Sequence, residues 1–183
     1  RWMLFFGSVI FAHIFLDAFN NYGVGWFEPF SHERVAFNII YIADPLFSIW
    51  PIITLFVLIY LRIRKRDRKK WWIAGLGLSG LYLMYCLLNK SIVNHDVRQV
   101  LAAQSIPYTR YFTTPAPFQN FLWYVVAGND EGYHVGYRSV LDRDKHMEFK
   151  YFQRNDHFLM QSLDHEELHK LIRFSKEFKK KKK

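Results

Sequence analysis

A single cysteine, Cys86, stands in the 183 residues, inside an apolar run. No disulfide can form within the chain, and a metal site built on cysteine is excluded. Signatures of nucleotide binding and serine catalysis are also missing, since there is no phosphate loop and no Gly-x-Ser-x-Gly elbow. The stretch Gly75-x-Gly77-x-x-Gly80 matches a dinucleotide pattern as text. It lies inside an apolar run, not between a strand and a helix, so the match is rejected. No repeat of useful length is present.

Basic charge outside two short blocks is lacking too. The formal net charge is +9, of which Arg62–Lys70 supplies +6 and Lys179–Lys183 supplies +5, leaving −2 for everything else. Nucleic-acid binding wants basic residues spread over a folded face, so no nucleic-acid partner is expected. The lysine end, 179–183, is expected to be a solvated, disordered tail, because like charges in a block repel.

What the sequence has in abundance is apolar and aromatic residues, 51% and 19% of the chain. They are unevenly placed. Residues 1–88 hold three apolar runs: Trp2–Leu16, Ile39–Leu61 and Trp71–Leu88, the last two of 23 and 18 residues. A bilayer-crossing helix needs about 20. Apart from Asp44, neither long run contains a charge. The expected fold is therefore a mainly α membrane protein with about three transmembrane helices, followed by a small α+β extramembrane domain. The expected boundaries are 1–88 for the membrane region, 89–178 for the extramembrane region and 179–183 for the tail.

Arg62–Lys70 joins the second and third runs with seven basic residues against one acid. That is the positive-inside pattern and predicts a cytoplasmic loop at 62–70. Residues 18–38 and 89–183 then fall on the opposite side. Trp71 and Trp72 are placed to anchor the next helix among the headgroups. The first run lacks a small-residue cleavage site and carries His13 and Asp17 near its end, which argues against a signal peptide. The chain opens at Arg1 directly into this run, and the expectation is a piece of a longer protein.

Beyond Leu88, residues 89–104 read as a short helix leaving the membrane, and 106–120 as a Pro- and Thr-rich connector. Residues 121–140 read as a hairpin around Gly128-Asn-Asp-Glu-Gly132. Residues 147–153 suit a third strand. Asp164 and Glu167 form a capping box ahead of an amphipathic helix ending at Phe178.

His13 and Asp17 are spaced i, i+4 and share one helix face. Ionisable residues in a membrane segment are costly and normally paired. The pair is either a hydrogen bond that steadies a helix end or two ligands for a divalent metal such as zinc. Asp44 precedes Pro45 and suits a helix N-cap. It also enters the second run at the membrane end where the first run exits, so it can converge with Asp17. Asn20, Asn21, Gly23 and Gly25 read as a turn, with Pro29 and Phe30 fixing the loop. His32, Glu33 and Arg34 read as loop charges, Arg34 being either solvated or a contact for an anionic group. His95 and Asp96 form a further candidate pair. His165 and His169 imitate a metal spacing on a charged helix.

The stretch from His13 to Phe47 resembles the signature of a family of inner-membrane metal-dependent hydrolases, also described as LexA-binding and inner membrane-associated. The matching positions are His13, Asp17, Asn21-Tyr22-Gly23, Pro29-Phe30 and Asp44-Pro45. Residues 114–142 are similar to the C-terminal part of longer members. The resemblance implies a multi-span protein of the bacterial inner membrane and a divalent metal, zinc, held by His13, Asp17 and Asp44. Asp17 and Asp44 are then the catalytic carboxylates, and the expected substrate is a small molecule or lipid, a phosphoester or lipid-like substrate. The family is itself thought similar to zinc-dependent phospholipase C and P1-type nucleases. A His-Arg-Gly-x-Thr-His-Ser element of the family is absent from these residues: either an upstream segment carries it and these residues hold half of the site, or the protein lacks it and the metal does not follow from the resemblance. Two other readings stand beside this one. One is a non-enzymatic membrane protein that recruits a protein partner through its extramembrane part. The other is a transporter.

Overall fold

The computed structural model describes residues 1–31, 33–144 and 146–154. His32, His157, the expected C-terminal helix with His165 and His169, and the lysine tail lie outside the described residues. Three helices come first: α1 (Trp2–Asp17), α2 (Pro45–Ile63) and α3 (Lys69–Ala103). Four strands follow: β1 (Arg110–Pro115), β2 (Leu122–Gly128), β3 (Gly132–Ser139) and β4 (Lys150–Gln153). They form one antiparallel sheet in the order β1-β2-β3-β4. The architecture is mixed α+β, with α2 and α3 both long and apolar enough to cross a membrane.

Neither α1 nor α2 buries a residue inside the protein. Leu4, Phe11, Leu55 and Phe56 are all more than half exposed. Water would penalise such surfaces at about 25 cal/mol per Å² of apolar area. Hydrocarbon carries no such penalty. α2 begins at Pro45, so Ile39–Asp44 is not helical, as a residue before proline disfavours the helical region. α2 and α3 pack closely through Gly75, where a Cβ would overlap the Thr54 side chain. Small residues permit such an approach.

α3 differs from expectation. The apolar stretch 71–88 and the segment 89–103 form one continuous helix of 35 residues. At about 1.5 Å per residue it is roughly 52 Å long, against about 30 Å of hydrocarbon. The boundary drawn after Leu88 thus falls within a helix. Past that point α3 becomes amphipathic, with Val93, Val97 and Leu101 buried at i, i+4 spacing. They pack on Trp123, Val125 and Ala127, the buried residues of β2, and on Met147. The helix thereby changes its surroundings along its length, from an apolar exterior to a protein core.

The hairpin appears where expected, with β2 and β3 paired from Leu122↔Ser139 to Gly128↔Tyr133. Asn129 Oδ1 accepts from the N–H groups of Glu131 and Gly132, which shapes the turn. β4 supplies the third strand of the sequence reading. The segment read as a connector also contains a strand: Arg110–Pro115 pairs along β2 as an edge strand. Pro115, which lacks an N–H, sits at the end of that edge, where proline is tolerated.

Polar contacts lock the helix to the sheet. Asp96 of α3 and Arg138 of β3 form an ion pair at 2.9 Å, with side chains 4% and 5% exposed. Arg138 also donates to the carbonyls of Asp144 (2.7 Å) and Asp142 (3.4 Å). Removing one partner of a buried pair leaves an uncompensated charge, at a cost of about 3–5 kcal/mol. Arg138→Met alone should therefore lower stability by that amount in thermal or denaturant melts. Arg138→Met combined with Asp96→Leu should recover most of it. An unchanged single variant would show that the pair does not hold the sheet on α3.

Candidate functional site

The expected site lies where α1 ends and the chain returns to start α2. His13 Nε2 and Asp17 Oδ2 are 3.3 Å apart, with side chains 75% and 42% exposed. After Asp17 the chain turns. Asn20 Oδ1 accepts from the N–H groups of Tyr22 (2.8 Å) and Gly23 (3.0 Å). Gly23 has φ 68°, and a Cβ there would meet the Val35 carbonyl. Only glycine satisfies both the left-handed backbone and the close approach.

The returning strand is tied to the outgoing one. Val24 and Val35 exchange backbone hydrogen bonds of 3.0 and 2.8 Å. Arg34 donates from Nε to the Tyr22 carbonyl (3.1 Å) and from Nη2 to that of Gly23 (2.8 Å). Its guanidinium therefore braces the loop, a role the sequence reading did not assign. The N–H of Phe37 donates to Ala18, and those of Ile39 and Ile40 donate to Phe19. Phe15 stacks on Trp26 with centroids 6.2 Å apart, and Phe37 meets the edges of Phe19 and Trp26. The last turn of α1 is thus held by loop aromatics.

Asp44 ends this loop and is 2% exposed. Oδ1 accepts from the N–H groups of Leu46 (2.9 Å) and Phe47 (3.3 Å), making Asp44 the N-cap of α2. Oδ2 accepts from the Tyr82 hydroxyl of α3 at 2.8 Å. The cap anticipated from Asp-Pro is present, and the Tyr82 contact is additional. Tyr82 had no signal in sequence, being one aromatic among many in an apolar run.

The structure brings His13 and Asp17 together and engages Asp44 elsewhere. Among the described residues, no group of three His, Cys, Asp or Glu side chains is arranged to hold a metal ion. His13 and Asp17 alone are two donors of the four that zinc usually takes. The other pair in the sequence reading separates: His95 Nε2 contacts Gln99 Nε2 at 3.0 Å, and Asp96 turns to Arg138. His134 has a buried Nδ1 without a hydrogen-bond partner among the described residues, and its ring meets Tyr151 at 5.0 Å.

A polar cluster at the junction of α3 and the sheet was not anticipated. Asn120, fully buried, donates from Nδ2 to the Ile39 carbonyl at 2.7 Å. Its carbonyl accepts from Asn89 (3.0 Å) and from the Trp123 indole (3.2 Å), and its Oδ1 accepts from Asn89 (3.1 Å). Beside it, Lys90 donates to the Thr113 carbonyl of β1 and lies 5.4 Å from the Trp123 ring centroid. Lys90 is past the apolar stretch 71–88 and belongs to the sheet side of α3. Burial lowers its ammonium from the ordinary 10.5 to about 8.

The fold is thus two helices long and apolar enough to cross a membrane, joined by a basic turn and preceded by a shorter apolar helix, with a sheet packed on the extension of one of them. The chain belongs to the YdjM inner membrane protein family, whose model matches residues 1–93. The match takes in all three helices up to Val93 and leaves the sheet outside it. It supports the inner-membrane part of the resemblance; its description does not speak of hydrolysis, a metal or LexA. No curated protein and no solved structure matches the chain.

Two expectations follow. Asp44→Ala removes a cap, about 1 kcal/mol, and strands the Tyr82 hydroxyl, about 1–3 kcal/mol. Tyr82→Phe should cost less, because the cap survives. Unfolding in detergent would rank them, and an Asp44→Ala protein as stable as wild type would refute the cap. For Lys90, the unfolded chain holds the proton more tightly than the folded one. Its contribution to stability therefore rises with pH between about 8 and 10.5. NMR of dimethylated lysines should show one resonance titrating well below the others, missing in Lys90→Met. A Lys90 resonance that titrates with the surface lysines would contradict the burial argument.

Proposed function

We propose that this chain belongs to a membrane-bound metal-dependent hydrolase of the bacterial inner membrane. In this reading α2 and α3 cross the bilayer, the Arg62–Lys70 turn faces the cytoplasm, and the loop 18–38 and the sheet lie on the other side. The observation that carries the proposal is the His13–Asp17 contact. It places an imidazole and a carboxylate 3.3 Å apart at the end of an apolar helix, where ionisable side chains are retained chiefly for function.

A hydrogen bond from His13 Nε2–H to Asp17 Oδ2, 3.3 Å away, would fix the tautomer whose Nδ1 lone pair can hold a metal. A carboxylate that orients a histidine and raises its basicity is a recurrent support for metal binding. In this arrangement Asp17 supports His13 from the Nε2 side of the ring, and its second oxygen is left as a general base. Asp44 enters as the carboxylate that fixes the start of α2. The reading requires further donors from outside the described residues. A bound zinc would supply an acidified water and polarise the scissile group. The chemistry fits an ester of phosphoric acid or a lipid-like ester, reached from the membrane surface.

A second reading is a non-enzymatic membrane protein that recruits a protein partner. The sheet favours it, because the face away from α3 carries Phe112, Tyr124, Tyr133, Tyr137 and Phe152 in register. Tyr137 is 58% exposed and Phe152 44%. Aromatic residues are enriched at interfaces.

Metal analysis of the full-length protein purified from membranes tests the first reading. About one divalent metal per chain is expected, lost in His13→Ala and reduced in Asp17→Asn, with Asp44→Asn retaining it. Absence of metal, or unchanged content in His13→Ala, would sink it. Full biological activity of Asp17→Asn at normal expression would then favour the recruiting role.

A further inference from the structure

The turn between α2 and α3 does more than reverse the chain. It is closed by backbone hydrogen bonds from Lys65 to Arg62 (3.2 Å) and from Arg66 to Leu61 (3.0 Å), with Lys65 at φ 52°. Next to it lies an open cleft of about 720 Å³. Lys65, Arg66, Arg68 and Lys69 line its rim, and Leu58 of α2 and Trp72 of α3 form an apolar wall. Asp67, the one acid there, has Oδ1 occupied by the Lys69 N–H at 3.0 Å. The cleft is therefore lined by four basic side chains, one acid and two apolar residues.

We propose that this cleft holds the phosphate headgroup of an anionic glycerophospholipid, with the acyl chains running down the outer surface of α2 and α3. The inference rests on the reading of α2 and α3 as membrane spans. Under that reading the turn sits at headgroup depth, and basic pockets between membrane helices are suited to anionic headgroups. The apolar wall selects the lipid over free phosphate. Leu55 and Leu76, 56% and 64% exposed, stand on the same helix faces as Leu58 and Trp72, one turn further from the basic turn. A phosphate ion would leave that surface unused, whereas a lipid meets both halves of the cleft. Arginine contributes bidentate hydrogen bonds to phosphate oxygens, beyond its charge.

The test uses the purified full chain in a non-ionic detergent, with bound lipid counted by native mass spectrometry. Phosphatidylglycerol, phosphatidylcholine and inorganic phosphate are titrated separately. Phosphatidylglycerol should bind at least about tenfold more tightly than phosphatidylcholine. Millimolar inorganic phosphate should not displace it. The triple change Arg66→Gln, Arg68→Gln, Lys69→Gln should abolish the preference. The charge-conserving pair Arg66→Lys, Arg68→Lys should retain most of it, with circular dichroism confirming that every variant is folded. Equal binding of the two lipids, or wild-type binding by the triple variant, overturns the proposal. Displacement by inorganic phosphate overturns it in favour of a simple anion site. Alkaline carbonate extraction of membranes separates the two levels: release of the wild-type chain refutes the spanning reading itself, while retention with no lipid preference refutes only the headgroup site.

Discussion

Asn120 is the point on which the parts of this protein depend for their relative placement. Its side chain and carbonyl reach the loop before α2 through Ile39, α3 through Asn89, and β2 through the Trp123 indole. All of these residues are buried, Asn120 and Trp123 at zero exposure. A buried amide left without partners costs about 1–3 kcal/mol for each lost group. The three elements must therefore keep their positions together or each leave a polar group stranded. Tyr41 against Phe118, with centroids 5.5 Å apart, adds an aromatic contact across the same junction.

The junction gives α3 its unusual role. One helix serves as an apolar rod over 71–88 and as the core helix of the sheet over 89–103, with no break between the two. A flexible linker there would let the sheet move freely. A continuous helix, clamped by Asn120 and by the Asp96–Arg138 pair, transmits the orientation of α3 directly to the sheet. The loop 18–44 is held to the same body through Ile39 and through the Asp44–Tyr82 bond. The end of α1, with His13 and Asp17, is thus presented at a defined place relative to the sheet through backbone bonds at Ala18 and Phe19.

Features that depend on neighbouring residues were legible. Asp44-Pro45 marked a helix start because the cap and the fixed φ of proline are local. The hairpin was visible because Gly128–Gly132 supplies turn chemistry between two β-rich runs. The two long apolar runs were visible from length alone. β1 was missed because its strand lies between Pro107 and Pro117, and proline reads as a connector until a partner edge is known. The unbroken α3 was missed because apolar composition stops at Leu88, while helical hydrogen bonding does not require apolar residues. For the site, His13–Asp17 was readable as i, i+4 spacing. The brace by Arg34, the Tyr82 contact and the diversion of Asp96 to Arg138 were not, since each joins residues far apart in the chain or across a turn.

The amino-acid sequence by itself determined the solvent each segment prefers, the two long apolar helices, the basic turn between them and the strand pairing of the hairpin. These follow from composition, periodicity and local backbone preference. Only the tertiary structure decided which polar groups are spent internally. A carboxylate in an apolar run has the same text whether it binds a ligand or a tyrosine. What distinguishes the cases is the set of donors that folding brings within about 3 Å. For Asp44 and Asp96 those donors come from elsewhere in the fold, Tyr82 and Arg138, whereas among the described residues Asp17 lies beside the histidine one turn away on its own helix.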